Sequence, residues 1–161
     1  MNYLYPDAVL MLFCKAPVPG QVKTRLMATS TARQAADVHC ELSIHTLELV
    51  TKHPFCPVQL WCTPSTGHPF FHAAATNYKV TLKQQQGGDL GERMYQAFGE
   101  ALQDYAHALI IGCGCPSLTG EDLEQALTAL SGGYGSVLAP TEDGGIVYSA
   151  SSKRILACSK T

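Results

Sequence analysis

The stretch Ala8-Val-Leu-Met-Leu-Phe-Cys14 is apolar at every position. A strand with one wet face alternates apolar and polar residues, so an unbroken run predicts a strand covered on both faces, as in a parallel sheet. Ala108-Leu-Ile-Ile111 repeats the pattern, and Val58-Gln-Leu-Trp-Cys62 and Ser136-Val-Leu-Ala-Pro140 read as further strands. Tyr78 to Leu82 alternates like a less buried strand, and Ile146 to Ser149 fits a short last one. Helical periodicities separate them. From about Thr31 to Lys52, the residues Ala35, Val38, Leu42, His45 and Leu49 recur at three- and four-residue steps and predict a buried stripe, with His45 as a core histidine. A short helix is expected over Phe70 to Ala75, and an amphipathic one over Glu92 to Tyr105. Thr119 with Asp122 three residues later carries the capping-box pattern, ahead of a core face of Leu123, Ala126, Leu127 and Leu130.

Alternating strands and helices define the expected fold class: α/β, three layers (α/β/α), with a mostly parallel sheet. The chain of 161 residues fits a single domain over 1–161. Such sheets bind ligands in the crevice at the carboxyl ends of their strands. The loops after Cys14, Cys62, Ile111 and Pro140 should therefore share one edge and carry the chemistry.

Composition narrows the function. Eleven basic and thirteen acidic residues leave a net charge of −2, with no basic run beyond Lys153-Arg154, which argues against a nucleic-acid partner. The longest apolar run is far short of the roughly 20 residues of a spanning helix, and no export-signal pattern is present, so the cytoplasm is the expected location. The seven cysteines are irregularly spaced and mostly inside apolar runs, which suits reduced, buried thiols. A remoter reading takes Cys14, Cys62, Cys113 and Cys115, all at strand ends, as thiolate ligands of a soft metal such as zinc.

The loop after the first strand holds Lys15, Lys23 and Arg25 within eleven residues, with Pro17, Pro19 and Gly20 shaping the backbone between them. Cations on a pre-shaped loop at a strand's carboxyl end suit a di- or triphosphate; a solvated basic loop is the plain alternative. The loop is not a Walker A sequence, because Gly-x-x-x-x-Gly-Lys-Ser/Thr is absent.

Four ordered motifs extend this reading: Ala16-Pro-Val-Pro-Gly-Gln-Val-Lys-Thr-Arg-Leu26, Gly88-Asp-Leu-Gly-Glu-Arg-Met94, Ile111-Gly-Cys-Gly-Cys-Pro-Ser-Leu118 and Ala139-Pro-Thr-Glu-Asp-Gly-Gly145. Together they resemble an uncharacterised glycosyltransferase-like family with the GT-A (nucleotide-diphospho-sugar transferase) fold, often found beside radical-SAM and selenium-associated proteins. The match spans about residues 8 to 150. The first motif also resembles the lysine-arginine loop of guanylyltransferases. The resemblance implies a transferase that takes a nucleotide-diphosphate sugar and an acceptor it does not identify, with nucleotidyl transfer or an inactive nucleotide-binding relative as the alternatives. It makes Lys15, Gly20, Lys23 and Arg25 diphosphate contacts and puts Gly88, Asp89 and Arg93 near the nucleotide, at a helix N-terminus where free N–H groups favour anions. Asp89 reads equally well as a helix cap.

The third motif departs from the family pattern. Where the family has the aspartate that holds Mg²⁺ or Mn²⁺, this chain has Gly114, and Cys113 replaces the preceding serine. Hard divalent cations need oxygen ligands, so a metal cofactor is in doubt. The resemblance implies catalytic roles for Glu142 and Asp143, the latter as metal ligand, acceptor-orienting group or general base; a tight Asp-Gly turn is the alternative. Family members continue further after this motif. On that ground the fold is expected to be short at its C-terminal end, leaving an open edge that favours a homo-oligomer.

Overall fold

The computed structural model describes residues 2–113, 118–132, 136–140 and 146–152. The elements are β1 (Ala8–Lys15), a 3₁₀ turn (Thr24–Ala28), α1 (Ala32–Lys52), β2 (Val58–Thr63), α2 (Pro69–Tyr78), β3 (Thr81–Gln84), α3 (Leu90–Asp104), β4 (His107–Gly112), α4 (Gly120–Ser131), β5 (Ser136–Pro140) and β6 (Ile146–Ser152). They build a sheet in the order β3-β2-β1-β4-β6-β5. β1 pairs parallel to β2 and β4, and β2 pairs parallel to β3, while β6 runs antiparallel to both of its neighbours. β5 therefore points the same way as β1, β2 and β4, and the carboxyl ends of these four strands lie on one edge of the sheet.

β1 shows why the first apolar run has no polar gaps. Ala8, Leu10, Leu12 and Cys14 face a core made with α1, α2 and α4, where Leu47, Phe71, Leu123 and Leu127 pack. Val9, Met11 and Phe13 face the other way, against Trp61 and the Ala97, Ala101 and Leu102 stripe of α3. Covering both faces of one strand gives the expected three layers. Burying one such side chain is worth roughly 1.5–3 kcal/mol, so the two faces of β1 tie both helical layers to the same strand.

Local signals set the helix ends. Thr31 accepts a hydrogen bond from Gln34 N while Gln34 Oε1 accepts one from Thr31 N, closing a capping box. Thr119 and Asp122 form the predicted box on α4, and all four residues of its expected core face are buried. Two expectations need correction. The buried face of α1 is Ala35, Ala36, His39, Ser43, Thr46, Leu47 and Val50, with Val38 and His45 exposed, so the predicted stripe lies about one residue out of phase. The strand expected from Tyr78 begins at Thr81, because Pro69 at the first turn and the His68 cap start α2 early enough for it to run through Tyr78, and Lys79 ends it in the left-handed conformation (φ 55°).

Candidate functional site

The edge at the carboxyl ends of the parallel strands gathers the predicted loops. β1 ends at exposed Lys15, and Ala16 N donates to Thr63 O (2.8 Å), so the cation loop leaves beside the end of β2. Gly20 turns with φ +87°, and Lys23, at φ 50° and ψ 42°, starts the 3₁₀ turn in the left-handed region. A lysine there is strained where a glycine would not be, because its Cβ crowds the backbone. Lys23 is half-buried there, and Arg25, two residues on, is exposed. Among the described residues the only ion pair is Lys83–Glu100 on the far rim, so Lys15, Lys23 and Arg25 carry no acidic partner there.

The second loop, between β3 and α3, lies on the same edge. Gln85 N donates to Cys62 O (2.9 Å) and Gln85 Nε2 to Trp61 O (2.8 Å), fastening it to the end of β2. Asp89 is the N-cap of α3: its Oδ1 accepts from Glu92 N (2.8 Å), while Glu92 Oε2 accepts from Gly88 N (2.6 Å). Arg93 Nε donates to Gly87 O (3.1 Å). Sequence reasoning singled out Gly88 but passed over Gly87, which carries φ +138° and lies so close that an added Cβ would meet Arg93 N at 2.9 Å. The Gly87-Gly88 doublet was the available signal. Behind this loop a cavity of about 300 Å³ is lined by Trp61, Gln86, Tyr95, Gln96 and Glu100, a polar wall with aromatic sides. No side-chain hydrogen bond joins the two loops among the described residues. Gly114, Glu142 and Asp143 lie outside the described residues.

Beneath the cation loop lies a group that the sequence did not announce. His39 of α1 reaches back to the end of β1, with Nε2 2.6 Å from the Lys15 carbonyl oxygen and 3.9 Å from Cys14 Sγ. A carbonyl only accepts, so Nε2 carries the proton. Ser43 Oγ donates to His39 O (2.7 Å) and sits 3.5 Å from Cys14 Sγ, and Thr46 Oγ1 reaches Cys113 O at 3.3 Å. The neighbouring Cys113 thiol lowers the Cys14 thiol against the opposing effect of burial, and His39 and Ser43 add to the lowering. Cys113 moves the other way, raised first by its Cys14 neighbour and then by burial. Burial opposes charge on His39, yet its bonds to Cys14 and to the Lys15 carbonyl raise it on balance, with the nearby Lys23 charge working against them. Burial lifts the Cys62 thiol to about 12.

The cysteines at strand ends thus do converge: Cys14, Cys62 and Cys113 share one face of three adjacent strands. The described cysteines are all free thiols, four of the five buried. Among the described residues no three His, Cys, Asp or Glu side chains are arranged to hold a metal ion. Cys115 lies outside them. No described helix is long and apolar enough to cross a membrane.

A parallel-rich three-layer sheet with cation and glycine loops on its carboxyl edge is the nucleotide-diphospho-sugar transferase fold, and similar structures bear this out. A Desulfovibrio desulfuricans G20 protein provisionally assigned as a nucleotide-diphospho-sugar transferase matches with TM-score 0.82 and 26% identity, over 92% of this chain and 64% of that one. A cytidylyltransferase from Leptospira borgpetersenii matches with TM-score 0.63 and 12% identity, over 96% and 63%. The 4-diphosphocytidyl-2C-methyl-D-erythritol synthase of Anaerococcus prevotii matches with TM-score 0.58 and 10% identity, over 96% and 75%. The chain thus spans less than two thirds of the length of the first two. No curated protein matches the sequence. By sequence, the chain belongs to a family of uncharacterised proteins conserved in bacteria (DUF2064), whose profile matches residues 46–155.

Proposed function

We propose that this chain is the nucleotide-binding part of a transferase that uses a nucleotide-diphosphate-sugar donor. The observation that carries the reading is the cation loop: three basic side chains without acidic partners among the described residues, on the carboxyl edge of a parallel sheet, one of them held in a strained backbone conformation. Strain of this kind persists where surrounding structure enforces it, and a polyphosphate is the ligand that Lys15, Lys23 and Arg25 together would repay. The likeness to the Desulfovibrio protein supports the donor class.

In this reading Gly20 gives the loop its turn, and the Gly88 and Arg93 segment borders the donor. The observed Asp89 cap would keep that segment in place rather than touch phosphate. Asp143 and Glu142 are proposed to face the acceptor, with Asp143 as general base. Cys113 and Gly114 offer no oxygen side chain at the end of β4, so the donor set there does not fit a hard divalent ion; Asp143 is the remaining candidate ligand.

Incubating the protein with a panel of nucleotide sugars, with and without Mn²⁺, tests the proposal. Release of nucleoside diphosphate supports it, pyrophosphate released from a nucleoside triphosphate would point instead to nucleotidyl transfer, and binding without turnover would mark an inactive relative. Substituting Gly114→Asp should increase Mn²⁺-dependent nucleotide binding, if the missing acid is what weakens the metal site.

A further inference from the structure

We infer that Cys14 and Cys113 form a modification site, a buried dithiol that hydrogen peroxide converts to an intramolecular disulfide between the start of the cation loop and the end of β4. β1 and β4 pair in parallel with Leu12 opposite Ile111 and Phe13 opposite Gly112, and Cys14 and Cys113 each follow by one residue, just past the last rung of the ladder. Adjacent strands lie roughly 4.7–4.9 Å apart. That spacing falls inside the Cα separation a disulfide accepts, about 4.4–6.8 Å. Both thiols belong to the same core cluster.

The rival partner is Cys62, opposite Cys14 on β2. Its sulfur is engaged with Leu60 O at 3.5 Å, and it sits inside a strand paired on both sides. Cys113 comes just after the last residue of β4, outside the paired strand. The polar shell marks Cys14 as the sulfur that reacts first. His39 Nε2 lies 3.9 Å and Ser43 Oγ 3.5 Å from it, so polar atoms border this sulfur in an otherwise apolar core.

The steps balance with one hydroperoxide. Cys14 sulfur attacks a peroxide oxygen: an S–O bond forms, the O–O bond breaks, and the departing hydroxide takes the proton given up by the thiol. Cys113 sulfur then attacks Cys14 sulfur: the S–S bond forms, the S–O bond breaks, and hydroxide leaves with the Cys113 proton as water. Two thiols lose two electrons and two protons, and one peroxide becomes two waters. Cys14 is 2% exposed and Cys113 4%, so hydrogen peroxide should react faster than a bulky alkyl hydroperoxide.

The test treats the reduced full chain with hydrogen peroxide, blocks remaining thiols with iodoacetamide, and digests with trypsin without reductant. Before alkylation the expected product is about 2 Da lighter than the reduced protein. Peptide 1–15 should be joined to peptide 94–153, with fragmentation placing the bond at Cys113, and dithiothreitol should reverse it. The link should survive Cys115→Ser and vanish in Cys113→Ser; if the latter does not fold, fragmentation of the wild-type peptide decides. A bond from peptide 1–15 to peptide 53–79, which contains Cys62, overturns the inference. So does a bond through Cys115, oxidation of Cys14 to sulfinic acid without a cross-link, or free Cys14 after excess peroxide. No nucleotide enters the experiment, so its outcome is independent of the donor assignment.

Discussion

Lys23 couples backbone strain to ligand binding, and two substitutions separate them. Its φ of 50° and ψ of 42° place an L side chain in the left-handed region, at a cost of about 1–2 kcal/mol. Lys23→Gly removes that strain but adds unfolded-chain entropy of roughly 0.5–1 kcal/mol, leaving a net gain of about 0–1.5 kcal/mol. In a domain of this size each kcal/mol raises Tm by roughly 2–4 °C. Lys23→Ala keeps a Cβ and the strain, so its melting point should stay close to wild type. Both variants lose the ammonium. A hydrogen bond to a charged group is worth about 1.5–3 kcal/mol, and because Lys23 is only half-buried the lower end applies, about tenfold in affinity. Calorimetric titration with ADP, GDP, CDP and UDP, alongside thermal melts, gives both readouts. Equal loss of affinity in the two variants with higher stability only in Lys23→Gly is the expected pattern. Wild-type affinity in both would refute the phosphate role, and a Lys23→Gly protein that melts below Lys23→Ala would refute the strain argument.

Gly87→Ala should destabilise by more than about 1 kcal/mol, since φ is +138° and the new Cβ meets backbone, whereas Gly99→Ala in α3 meets nothing within 4 Å and should stabilise by about 0.5–1 kcal/mol; chemical denaturation reads both. His39→Leu should cost roughly 1–3 kcal/mol by leaving the Lys15 carbonyl without its donor, while exposed His45→Ala should stay within about 0.5 kcal/mol of wild type. Burial lowers the pKa of His107, whose Nδ1 has no hydrogen-bond partner among the described residues, so the unfolded chain takes up its proton more readily. Its contribution is complete above the ordinary value near 6.5 and is lost as pH falls through that value toward the lower folded one. Melts from pH 7.5 to 5 should therefore show a smaller acid loss in His107→Gln than in wild type; equal slopes would contradict this.

The layers were legible because β1 has no polar residue to bury, and the capping box of α4 because its two side chains act within one turn. The phase of α1 was not. His39, Ser43 and Thr46 face inward, paid for by carbonyls and thiols contributed from β1, β4 and the helix itself, while Val38 and Ile44 face water. An apolar pattern cannot see a polar residue whose partner comes from another strand. The cations of the first loop were visible as letters, but the left-handed turn at Lys23 has no residue-type signature, and the close approach at Gly87 shows only as the Gly87-Gly88 doublet.

The order of the sheet also dictates a schedule. β6, the last described strand in the chain, lies between β4 and β5 rather than at the rim. As the chain leaves the ribosome, β4 is exposed with one open side well before β6 is made, and β5, whose described pairing is with β6 alone, has no strand to pair with until then. The half with β1, β2 and β3 closes through nearer, earlier contacts. Newly made chains thus pass through an interval with an unprotected apolar strand edge, when pairing with a second nascent chain competes with the arrival of β6.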